Sequence, residues 1–203
     1  NEQQIQKVTA SSNTSFSEVW WFYPSSNSEE NDRYVVFNYE QNVWYYGTLD
    51  RTCWVDRGVD SLPIAAGSDH YLYEHESGLD DGSTVPASAV VAHIESSQMD
   101  LGEGDQFAFL SRLIPDITFR DSTANTPTAT FTLSARNYPG GPYLQSEGDS
   151  VVKTASAPVE QFTNQVNTRL RGRSFNLKVE TTTTETTWRL GTPRVDVRPD
   201  GGR

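Results

Sequence analysis

The sequence predicts an all-β protein: an antiparallel meander resembling β-propeller blades, followed by a unit like a β-sandwich or jelly roll. Three observations carry the prediction. Thr, Ser, Val and Tyr are abundant while Lys is scarce, a bias toward strands. Short runs of aromatic and β-branched residues recur between clusters of Gly, Pro, Asn, Asp and Ser, which read as turns. Helical periodicity persists beyond two turns nowhere in the chain.

Taken in order, residues 1–15 are polar and weakly patterned, so they read as a linker or the end of a preceding element. Residues 16–82 form the meander. FSEVWWFY (16–23) is an aromatic strand and PSSNSEEND (24–32) a polar loop. RYVVFNY (33–39) and VWYYGTL (43–49) are strands joined by a tight acidic turn, and RTCWV (51–55) extends or follows them. LPIAA (62–66) and HYLYEH (70–75) are joined by Gly67-Ser68-Asp69. Both 34–44 and 66–73 resemble the strand-turn-strand units of propeller blades, in which the turn glycine takes φ > 0 and aromatics pack between blades. The expected core of this unit is Trp20, Trp21, Tyr34, Phe37, Trp44 and Tyr46, with Gly47 and Gly67 at tight backbone positions.

Residues 78–86 (GLDDGSTVP) are dense in turn formers, and aromatic density falls after them, so the second unit is placed at 83–203. Strands are expected at 88–95, 107–114, 117–119, 129–135, 166–170, 174–180 and 187–197, with loops at 137–142 and 144–165. Phe131, Leu133, Phe175, Leu177, Val179, Trp188 and Leu190 are its expected core, and Gly191 a third tight backbone position.

Length and composition set bounds. A chain of 203 residues holds one large β domain or two small ones, and buries roughly 70% of its unfolded surface. Hydrophobic residues make up 35% but aromatics 11%, so flat side chains fill much of the core. No apolar stretch approaches membrane-spanning length and no signal peptide is visible, so a soluble protein without a membrane anchor is expected. The chain begins at Asn1 without an initiator Met and reads as the C-terminal portion of a longer polypeptide. Cys53 is its single cysteine, which excludes an intrachain disulfide; it is expected as a small buried hydrophobe.

Net charge is −11 and uneven. Residues 1–110 hold 4 Lys and Arg against 18 Asp and Glu, a balance of −14; residues 111–203 hold 12 against 9, a balance of +3. The acidic part repels nucleic acid at long range.

Chemistry-bearing groups are sparse. His70, His75 and His93 are the histidines. His70 and His75 stand five apart on one strand and so on opposite faces, whereas zinc requires three or four convergent ligands. Glu74, Glu76, Asp80 and Asp81 form an acidic loop with Gly78 and Gly82. Its spacing is not that of an EF-hand, and a solvated acidic loop face is expected. Arg169, Arg171 and Arg173 alternate around Gly172, so one strand face would present all three to an anion or an acidic partner, or simply as solvated edge charges. No serine-hydrolase or phosphate-loop motif occurs. Paired carboxylates for glycoside hydrolysis cannot be nominated among 27 acidic residues. No enzyme, metal or cofactor is expected. A structural or binding surface is expected, with a carbohydrate-binding module as the alternative.

Three stretches, 16–58, 62–82 and 171–203 (RGRSFNLKVETTTTETTWRLGTPRVDVRPDGGR), resemble the C-terminal part of tail or head-to-tail structural proteins of tailed bacteriophages, in particular the nozzle or tail-hub proteins of short-tailed phages. The resemblance implies a virion protein of the phage tail. It implies a ring of copies, typically a hexamer, around the DNA exit channel, contacts with neighbouring tail or adaptor proteins, and DNA that passes without specific binding. Such proteins usually run to several hundred residues, longer than this chain.

Overall fold

The computed structural model describes residues 1–59, 61–100, 104–143 and 153–201. Strands hold 48% of the chain and helix 3%, and the sheets are antiparallel, so the all-β expectation stands. The chain divides into two compact units, Asn1–Gly78 and Leu79–Arg203, and the division falls inside the 78–86 loop.

The first unit holds seven strands: β1 (Thr9–Asn13), β2 (Glu18–Tyr23), β3 (Arg33–Asn38), β4 (Val43–Thr48), β5 (Cys53–Val55), β6 (Ile64–Ala66) and β7 (Leu72–Glu74). They form two meanders, β1-β2-β3-β4 and β5-β6-β7, in which each strand pairs with its sequence neighbour. The linker expectation for residues 1–15 is corrected. Glu2–Lys7 is a 3-10 helix, and Thr9–Asn13 pairs along all of its length with β2. As an edge strand of small polar residues (TASSN), β1 carries no hydrophobic alternation that a sequence pattern could register.

Register decides which aromatics are inside. On β2 the inward row is Glu18, Trp20 and Phe22, because alternate side chains point to opposite faces. Trp20, Phe22 and Val36 meet Trp54 and Ala65 from the second meander, with Tyr34 and Leu49 packed against them. The Trp54 ring stacks on Trp20 at 5.2 Å and on Phe22 at 5.9 Å. Trp21, Phe37, Trp44 and Tyr46 fall on the other face, so their expected core role is corrected. Trp21 and Phe37 are half-buried, while Trp44 is 62% and Tyr46 82% exposed. The same alternation turns Trp54 inward and Cys53 outward, so Cys53 is exposed and not buried. Gly47 does stand at a tight position: a Cβ there would lie 2.4 Å from the Tyr34 hydroxyl oxygen. Gly67 is crowded as expected, but the left-handed residue of its turn is His70, at φ 70°.

The second unit continues with β8 (Asp80–Asp81), β9 (Ser88–Ala89), β10 (Ala92–Glu95), β11 (Met99–Asp100), β12 (Ala108–Ile114), β13 (Ile117–Thr118), β14 (Thr128–Arg136), β15 (Thr154–Glu160), β16 (Val166–Gly172), β17 (Ser174–Thr181), β18 (Arg189–Leu190) and β19 (Arg194–Pro199). One sheet runs β10-β17-β14-β15 with β11 also on β17, and a second runs β16-β12-β19. Leu110, Leu113 and Leu170 from the second sheet share one core with Phe131, Leu133, Val159, Phe175 and Val179 from the first. Trp188, Leu177 and Leu190 pack against it, partly buried. The 144–165 loop is corrected where it is described: β15 pairs with β14 over seven residue pairs, and residues 144–152 lie outside the described residues. The chain passes from the second sheet to the first through Arg173, between β16 and β17.

Candidate functional site

Two surfaces and one cluster around a buried carboxylate gather the chain's conspicuous side chains. The first surface is the outer face of β2-β3-β4. Pairing places Val19 opposite Phe37 and Trp21 opposite Val35, then Phe37 opposite Trp44 and Val35 opposite Tyr46. The Trp44 ring bridges Phe37 at 4.6 Å and Trp21 at 5.8 Å in stacked geometry. Two rows of aromatic and β-branched residues therefore lie side by side on a rigid sheet, open to solvent at Trp44 and Tyr46.

Behind it, on the inner face, sits a buried carboxylate. Glu18 is 7% exposed and accepts a hydrogen bond from Trp20 Nε1 at 2.9 Å and another from the Tyr45 hydroxyl. Burial and that bond push the Tyr45 hydroxyl well above its ordinary value, and burial pushes the Tyr34 hydroxyl up too. Asn13 Nδ2 donates to Glu76 at 3.0 Å. Desolvation raises the Glu76 carboxyl and the Glu18 charge adds to that, while the Asn13 bond opposes it.

The second surface is a basic corner of the second unit. Arg171 lies near the end of β16 and Arg173 just past it, in the turn. Their guanidinium carbons stand 4.0 Å and 4.8 Å from the centre of the Phe107 ring. Arg136, at the end of β14, stands 4.2 Å over Tyr143, and its carbonyl accepts the Arg173 N–H at 2.8 Å. Lys153 Nζ donates to Asn137 Oδ1 at 2.5 Å and to the Arg171 carbonyl at 3.1 Å. Burial, then the charge of Arg171, lowers the Lys153 ammonium. Arg171 also pairs with Asp200.

The structure thus brings Arg171 and Arg173 to one ring but leaves Arg169 exposed on the strand, outside the aromatic contacts. Arg136 joins from the end of β14, and Phe107 and Lys153 from the residues just before β12 and β15. Pairing across sheets assembles them, and no spacing within the sequence announces it.

The acidic residues fall into separate units. Glu74 ends β7 and Glu76 bonds Asn13 in the first unit. In the second, Asp80 accepts the Glu185 N–H at 2.7 Å and Asp81 that of Ser83 at 2.9 Å. His75 tilts against Trp54 at 4.6 Å and accepts from Arg51 Nε at 2.9 Å, while His70 and His93 are exposed. Among the described residues no group of three or more His, Cys, Asp or Glu could hold a metal ion. Asp196 pairs with Arg112 at 2.5 Å. A shallow depression of about 190 Å³ beside the 3-10 helix, lined by Asn1, Glu2, Ile5, Val8, Tyr23 and Pro24, offers one carboxylate and not the pair that glycoside hydrolysis requires. Among the described residues no helix is long and apolar enough to cross a membrane.

No protein-family model matches the chain, and a search of the curated proteins finds no match.

Proposed function

We propose that this chain is a virion structural protein, a subunit of a ring-shaped tail nozzle or head-to-tail connection of a short-tailed phage. In this reading the first unit is propeller-blade-like and the second resembles a β-sandwich or jelly roll. Copies of the chain, six by the resemblance, surround the DNA exit channel and contact neighbouring tail or adaptor proteins. The observation that carries the reading is the outer face of β2-β3-β4. Trp and Tyr are the residues that most often dominate binding energy at protein interfaces, and here they stand exposed on a stiff sheet with few rotamers to lose. Charge supports the rest: residues 1–78 carry 4 Lys and Arg against 12 Asp and Glu, a balance of −8. A wall of that sign repels phosphates and lets a duplex slide.

The test is to replace the two exposed aromatics by Trp44→Asp and Tyr46→Asp and to follow assembly by sedimentation velocity and negative-stain imaging. The reading expects a folded protein that no longer assembles. Unchanged assembly would count against it.

A second reading is a carbohydrate- or receptor-binding module of the tail, favoured by the exposure of Trp44, since a sugar ring stacks on such a face. A glycan array silent for the wild type would remove it; a hit lost in the Trp44→Asp protein would support it.

A further inference from the structure

Arg136, Lys153, Arg171 and Arg173 gather four cations at one corner of the second unit. Among the described residues Asp200 is the one carboxylate paired with any of them, through Arg171. Arg136 and Arg173 make no ion pair with a described carboxylate. Their Nε atoms are buried and without a hydrogen-bond partner, while each guanidinium stacks on an aromatic ring. The ring contact limits the motion of each guanidinium and lowers the entropy cost of engaging an anion through its terminal Nη groups. A guanidinium fork in fixed orientation matches a carboxylate in bidentate geometry.

We propose that this corner is the docking site for carboxylate side chains of the acidic first unit of a second copy of the chain. Charge complementarity selects the occupant, because residues 1–78 carry the balance of −8 while the described residues of the corner include the unpaired guanidinium groups of Arg136 and Arg173. Duplex DNA is disfavoured at long range by the overall charge of −11. The proposal rests on the assembly reading above and gives its copy-to-copy contact a place.

The experiment is sedimentation velocity of the full chain at about 0.01 M and about 1 M salt, between which the screening length falls from roughly 30 Å to roughly 3 Å. The expected result is concentration-dependent self-association at low salt that is lost at high salt. Arg136→Gln with Arg173→Gln should weaken it by about tenfold or more, as removal of interface charge pairs does. Near-ultraviolet circular dichroism checks that this variant is folded. Arg173→Lys keeps the charge without the planar fork and should fall between the two. Equal association in wild type and double variant would overturn the assignment of the corner and leave the assembly reading standing. A monomer at both salts would overturn the corner and count against the assembly reading as well, an outcome distinct from equal association in the two proteins. Saturable low-salt binding of a duplex DNA probe, lost in the double variant, with no self-association, would overturn the proposal in favour of phosphate.

Discussion

At the scale of single residues, the first unit holds one carboxylate inside its fold, Glu18, and a second at its surface, Glu76, which remains exposed. Glu18 is compensated by the Trp20 indole and the Tyr45 hydroxyl, but Glu76 has one amide bond against desolvation and a nearby like charge. Its carboxyl is raised above the ordinary 4.5, so the folded state holds the proton more tightly than the unfolded chain. The stability that this group contributes is full below 4.5 and is lost as pH rises through its elevated folded value. Asp32 and Asp56 act in the other direction. Burial opposes ionisation of both, yet hydrogen bonds from Ser25 to Asp32 and from Ser12, Arg57 and Thr14 to Asp56 lower them below 3.8. Their contribution is present above 3.8 and is lost as pH falls through the lowered values. The windows do not overlap. Urea midpoints measured upward from pH 4.5 should therefore decline in the wild type and flatten in Glu76→Gln, which keeps the acceptor for Asn13.

At the scale of elements, one tryptophan holds the first unit together and another does not. Trp54, on three-residue β5, fills the space between two meanders by stacking on Trp20 and Phe22 and donating to the Ser12 carbonyl at 3.1 Å. Trp54→Ala should cost about 3–5 kcal/mol, the usual loss for a buried large aromatic. Trp44→Ala, on the outer face, should cost no more than about 1 kcal/mol, the loss of a cross-strand aromatic pair. Chemical unfolding followed by circular dichroism separates the two. The sequence signals the strands that carry these residues, because 33–39 and 43–49 are dense in β-branched and aromatic side chains. It does not signal the side to which each points. Where Trp20 and Trp21 or Tyr45 and Tyr46 stand adjacent, hydrophobicity is equal and only pairing register assigns inside and outside. β1 escapes notice for the opposite reason, being a polar strand recruited by backbone pairing, and β15 because its inward row is built of small residues, Ala155 and Ala157, before Val159, with Pro158 beside them. The arginines around Gly172 are conspicuous in sequence, but Phe107, Arg136 and Lys153 reach the same corner only through the fold.

At the scale of the whole molecule, charge and apolar surface are segregated. The first unit carries a balance of −8 and an aromatic outer face; the second carries a cationic corner built on aromatic rings. A protein that acts by contact requires surfaces of both kinds, one for burial and one for charge matching. The most direct test of the proposed virion role is an electron-microscopy reconstruction of a particle that contains this chain. The account predicts copies repeating around a central axis, with Trp44 and Tyr46 covered by a neighbouring protein. A solitary copy whose Trp44 and Tyr46 face solvent would contradict it.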